Sequence, residues 1–492
     1  MAVSTDLKEY LNLIGGELCA ASSGELEDCL DPSTGKAFAR IPKSSKEDAV
    51  RAIEAAKEAF PAWKKKTANE RAACLREAAE IITANGGELA SLETQDTGWV
   101  VRETTYGLIP VLQQIWHDAA AKALQANRGQ TVPVTSTSLG YTLREPYGVV
   151  VGITPWNAPL FTLSIKAAYA IAAGNTVIIK PSEHASAASL RLAELLKDVF
   201  PEGVFNVLSG YGSEIGDTLT GHEAVDKVSL TGSGITASAI AKATAGKPKP
   251  MILELGGKSA NVIFEDADIE KVVEAISSYT IFTGNSGQLC VGSSRLLVHR
   301  SIVDKVAEGI KNYLQNPELK QFGPTLDPTT TTGPIANKPQ YDKVRSYIQL
   351  GLDEGAELVY GGRSGGSEIV PDRSDLAEGD WVEPTLLKSE SNKLRICQEE
   401  VFGPVSVLIP FDTEEEAIEL ANSTEFGLAA GVWTKDLSRA HRMVAELEAG
   451  NVWVNTYARV GVELPFGGVK SSGFGTDSIE DYSREKACVV EL

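Results

Sequence analysis

Tyr147-Gly-Val-Val-Val-Gly-Ile-Thr154 is an unbroken β-branched run, and the pattern it starts decides the fold. A helical pattern near Leu163–Ala173 comes next, then strand-like Asn175–Lys180, helical Ser186–Val199 and strand-like Val204–Ser209. After a further short helix, Asp226–Leu230 reads as a strand that opens into Thr231-Gly-Ser-Gly234. Runs that are apolar throughout belong to strands buried on both faces. Their alternation with amphipathic helices predicts an α/β fold with a parallel sheet, whose ligands lie at the carboxyl ends of the strands.

Downstream of Gly257 a second α/β region is expected. Strand-like runs at Arg295–Val298, Glu357–Tyr360, Val405–Pro410, Ala429–Trp433 and Asn451–Asn455 alternate with helical patterns near Ile302–Leu314, Pro339–Glu354, Thr413–Asn422 and Leu437–Glu448. Upstream, apolar residues at three- and four-residue steps predict a helix over Lys46–Phe60 ended by Pro61, and another over Asn69–Asn85 ended by Gly86-Gly87. A third helix is expected over about Val101–Ala126. Gly129–Glu145 loses the helical period and alternates Thr, Val and Ser, which suggests an extended excursion or hairpin. The apolar end of Asp477–Leu492 predicts a terminal strand in need of a partner edge, for which another subunit is a candidate.

The 492 residues exceed one core and suggest several units. Apolar content of 43% and charged content of 23% describe an ordinary globular protein. A formal charge of −20 argues against nucleic acid as a partner, because a phosphate-binding surface needs a basic field. Six scattered cysteines and five separated histidines suggest neither disulfides nor a metal site. No basic start leads into an apolar run, and no 18 apolar residues are consecutive, so no membrane partner is expected and the cytoplasm is the default location.

Chemistry concentrates in Phe282-Thr-Gly-Asn-Ser-Gly-Gln-Leu-Cys290. This loop is too polar and Gly-rich for a core, and it lies between a helical Ile269–Phe282 and a strand-like Ser294–Arg300. A cysteine at an element end, beside free backbone amides, is a candidate nucleophile. Thr231-Gly-Ser-Gly-Ile-Thr-Ala237 sits between a strand and a helix expected over Ile235–Ala245, where free amides of the helix start suit a pyrophosphate. Glu254 is a carboxylate inside the apolar run Met251–Leu255; it is either paired with Lys258 or pushed by burial toward the range of a general base.

Asn285-Ser-Gly-Gln-Leu-Cys290, together with Glu254-Leu-Gly-Gly-Lys258, resembles the active-site signatures of the aldehyde dehydrogenase superfamily, and the likeness spans nearly the whole chain. The resemblance implies an aldehyde dehydrogenase-like fold: a Rossmann-type cofactor domain in two parts (1–127 and 147–257), a catalytic domain (258–473), a β oligomerisation arm (128–146) and a C-terminal oligomerisation segment (474–492). It implies Cys290 as nucleophile, Asn157 of Thr154-Pro-Trp-Asn-Ala-Pro159 as oxyanion donor, and Glu254 as the base for a hydrolytic water, which favours a free acid as product. Lys166 would join a proton path whose usual Glu is here Asp477, after Pro465-Phe-Gly-Gly-Val-Lys-Ser-Ser-Gly-Phe-Gly475.

For the cofactor, the resemblance implies Lys180 and Glu183 at the adenosine ribose, Gly232 and Ser233 at the pyrophosphate, Glu400 at the nicotinamide ribose and Phe402 by its ring, with Trp156, Ser182 and Gly256 as further cofactor-binding residues. A carboxylate at the ribose hydroxyls repels a 2′-phosphate, so NAD is expected, with NADP possible. The aldehyde tunnel would be lined by Ala158, Ile165, Leu289, Val291, Val460 and Phe466, with Arg459 beside it as a solvated residue, a partner of Glu463 or an anchor for a substrate carboxylate. A homodimer or homotetramer is implied. An NADP-using semialdehyde dehydrogenase, a thiol esterase without redox chemistry and a binding protein on an enzyme scaffold stay open as alternatives.

Overall fold

A computed structural model of the protein describes residues 7–126 and 128–491. Two large sheets organise these residues. In the first, the neighbours run Gly473–Phe474, Met251–Glu254, Lys227–Thr231, Val149–Ile153, Thr176–Lys180, Phe205–Val207, Asn12–Ile14 and Glu17–Cys19. The five central strands are parallel, as their apolar runs predict. The chain starts this set at Val149–Ile153, builds outward through Thr176–Lys180 to Phe205–Val207, then crosses back to Lys227–Thr231 on the other side. That reversal is a topological switch point, and it opens a crevice at the carboxyl ends of Val149–Ile153 and Lys227–Thr231. Both candidate segments, Thr154–Pro159 and Gly232–Gly234, begin there.

The second sheet has the order Glu357–Tyr360, Thr385–Lys388, Val405–Phe411, Arg295–His299, Ala260–Ile263, Ala429–Trp433 and Asn451–Val454. Only the Glu357–Tyr360 edge is antiparallel. Ala260–Ile263 and Thr385–Lys388 escape the sequence reading, each being only four residues long. Cys290 lies just before Arg295–His299, at the amino end of this sheet, and faces the carboxyl ends of the first.

Several expectations need correction. The first helix is Lys46–Lys64 and keeps Pro61 inside its last turn, where the buried Trp63 anchors it through an indole hydrogen bond to Ile171 O at 3.3 Å. Gly86 does not end structure but starts the helix Gly86–Thr97; a Cβ there would sit 2.8 Å from Ile109 Cγ2, so glycine permits the close packing. The third helix is broken into Val101–Glu103, a π-helical Thr104–Leu108 and Ile109–Ala123, with Pro110 opening the last piece. Ile269–Ser277 is shorter than expected and gives way to turns that lead to the cysteine loop.

The excursion is a hairpin, Thr131–Pro133 with Ser138–Pro146. The C-terminal strand Ser483–Glu491 finds its edge within the same chain, pairing antiparallel with Ser138–Pro146 from Ser483↔Pro146 to Glu491↔Ser138. Its other edge stays unpaired in the three-stranded sheet. No helix among the described residues is long and apolar enough to cross a membrane.

Candidate active site

The cysteine loop is held by its own polar residues. Gly284 and Gly287 take φ of +64° and +67°, and a Cβ on Gly287 would run into Gly403 O, so only glycine fits both the angle and the space. The buried Gln288 amide donates to Asn285 O at 2.9 Å and accepts from Ala336 N at 2.9 Å. At the far end, Arg295 donates through Nε to Lys258 O at 3.0 Å and through its other nitrogens to Leu420 O and Ala421 O at 2.7 and 2.8 Å. This ties the loop to the segment that carries Glu254. The Cys290 thiol is half-buried, and burial pushes its pKa up to about 12, with the Glu254 and Glu400 carboxylates adding to the effect. The backbone N–H groups of Val291 and Cys290 act the other way.

Asn157 reaches this loop from the crevice. Its Nδ2 donates to Gln288 O at 2.8 Å, and its own carbonyl accepts from Asn285 Nδ2 at 2.8 Å. A primary amide carries two N–H donors, so one remains for a ligand. Behind it, Glu93 accepts from Leu160 N at 3.3 Å and fixes the start of the helix Pro159–Ala172.

Glu254 ends its strand with 5% of its surface exposed, and neither carboxylate oxygen has a hydrogen-bond partner. The pairing with Lys258 therefore does not form; Lys258 is itself buried and pushed down to about 7 by desolvation. Burial first, then repulsion from Asp477, lifts Glu254 to about 9, against the attraction of Lys166. Lys166 is fully buried and donates to Asp477 Oδ2 and Ser229 Oγ, both at 2.8 Å. The shorter Asp477 thus reaches Lys166 directly.

The dinucleotide candidates line the same crevice. Lys180 is buried and reaches Glu183 Oε2 at 3.1 Å and Pro181 O at 3.0 Å; desolvation lowers its pKa. Burial alone would raise Glu183, but the Lys180 charge and the residue's own N–H outweigh it and hold the carboxyl below its ordinary value. Ser182 O accepts from Ser186 Oγ at 2.7 Å, which shapes the turn. Ser233 caps the helix Gly234–Thr244 by accepting from Thr236 N at 3.2 Å, and the turn there is open to solvent, with Ile235 84% exposed. Glu400 accepts from Gly257 N at 2.9 Å, and Phe402, at φ +61°, meets Trp156 edge-on with ring centroids 5.3 Å apart.

The proposed tunnel residues divide. Val291 forms a small apolar cluster with Leu428 and Ala429, against which Cys290, Trp453, Ala458 and Phe466 pack. Ala158 is buried beside Asn157, and Leu289 is half-buried. Ile165 packs instead on the large core under the first sheet, with Phe161 and Val462. Val460 is 41% exposed, and Arg459 is also exposed. Trp453 and Tyr457 are absent from the sequence-derived set. Trp453 Nε1 donates to Arg459 O at 3.0 Å, and Tyr457 OH donates to Val291 O at 2.7 Å, so these two rings tie the rim loop to the cysteine. A large aromatic in the otherwise Val/Asn strand Asn451–Val454 is the signal that could have found Trp453.

Comparison with known proteins shows the family. Residues 19–489 match the model of the aldehyde dehydrogenase family. The chain belongs to that family. It is similar to betaine aldehyde dehydrogenase of Mesorhizobium japonicum, at 39% identity over 465 residues covering 94% of this chain and 93% of the relative. The solved structure of PnpE from Pseudomonas sp. WBC-3 is 38% identical, covers 98% of each chain and superposes with a TM-score of 0.93; another structure of PnpE is a complex with nicotinamide adenine dinucleotide. Betaine aldehyde dehydrogenase of Staphylococcus aureus, solved with NAD+, is 35% identical over 98% of this chain and 94% of that one, with a TM-score of 0.92.

The aldehyde dehydrogenase is thus an oxidoreductase whose two sheets meet at Cys290, Asn157 and Glu254. Two further acids escape sequence reading, Glu103 under the cysteine loop and Asp96 away from it, at the start of the helix Ala187–Leu196. Glu103 accepts from Trp99 Nε1 at 2.7 Å and lies under Gly284, where a Cβ would run into its carboxylate; burial lifts it to about 7. Asp96, also lifted to about 7 by burial, accepts from Ala188 N at 2.7 Å.

Proposed function

We propose that this aldehyde dehydrogenase oxidises an aldehyde to the free carboxylic acid with NAD, through a thiohemiacetal and then a thioester on Cys290. The observation that carries the reading is Glu254, a buried carboxyl with two unpartnered oxygens on the strand end beside the cysteine loop. Burial keeps this carboxyl protonated up to about 9, so its ionised form, the base that deprotonates a water, gains population as pH rises toward that value.

In this reading the Cys290 sulfur, once deprotonated, adds to the carbonyl carbon. The Cys290 backbone N–H and the spare N–H of Asn157 meet the resulting oxyanion. NAD, when bound, supplies the acceptor for the hydride that leaves the carbon. Glu254 takes a proton from water as the water attacks the thioester; the Cys290 thiolate departs and the acid is released. Lys166 and Asp477 form the proton path behind Glu254.

The residues present fit the cofactor. Glu183 and Lys180 suit the adenosine ribose, Ser182 shapes their turn, and Gly232 and Ser233 offer the open helix start to the pyrophosphate. Glu400, Phe402 and Trp156 surround the nicotinamide end, where Gly256 leaves a cradle that a Cβ would fill. The Glu183 carboxylate favours NAD over NADP. Ala158, Leu289, Val291, Val460 and Phe466 line the aldehyde entrance, Ile165 stands behind it and Arg459 at its rim.

The domain division at residues 127, 146, 257 and 473 belongs to the same reading, as does assembly into a homodimer or homotetramer through the free edge of Ser483–Glu491, in the cytoplasm. The test is absorbance at the reduced nicotinamide wavelength with NAD and an aldehyde panel ranked by kcat/KM. Ester hydrolysis without NADH formation on any aldehyde would replace the reading with a thiol esterase.

A further inference from the structure

Behind Glu254 lies a closed buried network that ends in a residue no part of the proposed chemistry uses. Asp477 Oδ1 accepts from Tyr482 OH at 2.7 Å and from Ser229 Oγ at 3.0 Å, while Oδ2 accepts from Lys166 Nζ at 2.8 Å. Tyr482, Ser229 and Lys166 are fully buried, and Asp477 is 9% exposed. The tyrosine is itself anchored from both sides. Asn175 Nδ2 donates to Tyr482 O at 2.9 Å, and Lys227 Nζ lies 5.8 Å from the centre of its ring. Tyr482 immediately precedes the C-terminal strand Ser483–Glu491, and Arg144, on the paired strand, donates to Ser483 Oγ at 2.8 Å and Glu480 O at 2.6 Å.

We infer that Tyr482 is a positioning residue for the reaction: its hydroxyl fixes the Asp477 carboxylate against Lys166, and through that pair it tunes Glu254 as a base. The inference rests on the reading of Glu254 given above. An aspartate is one methylene shorter than a glutamate, and its carboxylate is held against Lys166 by two further donors, Tyr482 and Ser229. The ionisable groups acting on Glu254 are Lys166 from the helix Pro159–Ala172, Asp477 and Asp481 from the C-terminal segment, and Cys290 from the loop. Of the charged groups behind Glu254, Asp477 opposes its ionisation most and Lys166 favours it. Glu254 makes no hydrogen bond to either, so the influence is electrostatic and depends on where the Asp477 charge sits.

Two variants should move the reaction in opposite directions. Tyr482→Phe removes a donor that partly neutralises Asp477, so Glu254 faces a stronger negative charge and its carboxylate is disfavoured. Asp477→Asn removes that charge and leaves Lys166 to favour the carboxylate. With the full-length enzyme, saturating NAD and aldehyde, the rising limb of steady-state kcat against pH should shift to higher pH in Tyr482→Phe, by roughly half a unit to one unit. That is a roughly three- to tenfold rate loss below the limb. In Asp477→Asn the limb should shift to lower pH, and Asp477→Glu should return it toward the parent position.

Ser229→Ala, which takes another donor from Asp477 and one acceptor from Lys166 while leaving Lys166 its bond to Asp477, should act in the same direction as Tyr482→Phe and serves if the latter fails to fold. An unmoved limb in both Tyr482→Phe and Ser229→Ala, with only a lowered Tm, overturns the inference, as do shifts of one sign in Tyr482→Phe and Asp477→Asn. Glu254→Gln is run alongside: steady turnover surviving in that variant fails the base reading itself, whereas a limb that ignores Tyr482 while Glu254→Gln is dead fails only the positioning role.

Discussion

The Glu400 carboxylate closes over Gly256 so tightly that a Cβ on Gly256 would lie 2.5 Å from Glu400 Oε2, while Glu400 Oε1 accepts from the next N–H, of Gly257, at 2.9 Å. Nothing larger than glycine leaves the carboxylate where it is. Gly256→Ala should therefore displace Glu400 rather than unfold the chain, because the clash is with the end of a side chain. A charge-assisted contact is worth about 1.5–3 kcal/mol. The expected outcome is NAD binding weakened at least about tenfold, read by calorimetry, with a nearly unchanged Tm. Unaltered NAD affinity would remove Glu400 from the cofactor site.

Cys290→Ala tests the nucleophile. It should abolish both dehydrogenase and ester-hydrolysing turnover and leave NAD binding intact, because the dinucleotide candidates reach the crevice from other strands. Substantial residual turnover would sink the assignment. The half-buried thiol, with its pKa pushed up to about 12, is a small residue in its cluster, so little loss of stability is expected from the change.

Glu254→Gln separates the two halves of the reaction. Acylation should survive as a burst of NADH about equal to the number of sites, and steady turnover should collapse. Loss of the burst as well would place Glu254 before hydride transfer, as the group that deprotonates Cys290. The same variant has a signature in stability. Glu254 holds its proton to about 9 in the folded chain against an ordinary 4.5, so unfolding between those values releases a proton and stability falls as pH rises. The stabilisation is fully present below about 4.5 and lost as pH passes about 9. Glu254→Gln removes that slope, so its Tm relative to the parent should be more favourable at pH 8.5 than at pH 5.

How far these sites were legible depends on how each residue declares itself. Val149–Ile153 and Thr176–Lys180 are β-branched runs that declare themselves as buried strands, and the cysteine loop announces itself through Gly284, Gly287 and its polar fill. The helix Gly86–Thr97 was hidden because Gly86-Gly87 carries the composition of a stop, while its real reason is the close approach of Ile109. Pro61 likewise signals an end that the burial of Trp63 overrides. Asp477 was recognisable as a departure and Lys166 as its companion, but its other partners were not: Ser229 sits in a strand and Tyr482 ends a short 3-10 helix, and only the fold brings them to one carboxylate. Glu93 and Asp96 lie in the helix Gly86–Thr97 that the glycine pair concealed, and their burial is a tertiary fact.

Arg459 carries the last prediction, which concerns the substrate. Its backbone is fixed by the Trp453 indole at 3.0 Å, so the residue is held beside the cluster that contains Cys290 and Phe466. The local partner expected for its charge is otherwise engaged: Glu463 Oε1 accepts from Gln114 Nε2 at 3.2 Å, and no ion pair joins Arg459 to it among the described residues. Its charge acts on the Tyr279 hydroxyl, which burial and Glu103 raise and Arg459 lowers. An exposed guanidinium without a carboxylate partner at the rim of an apolar entrance is suited to a substrate that brings its own, and its planar fork accepts one in two parallel bonds. Arg459→Leu should then raise KM for an ω-carboxy aldehyde at least about tenfold, the loss of about 1.5–3 kcal/mol, and leave an uncharged aldehyde of similar length nearly unchanged. High salt should narrow the gap between the two substrates in the parent enzyme, since an exposed pair is screened. Equal changes for both aldehydes would return Arg459 to the solvated surface and leave the width of the entrance, at about 1–3 kcal/mol per methylene, as what selects the substrate.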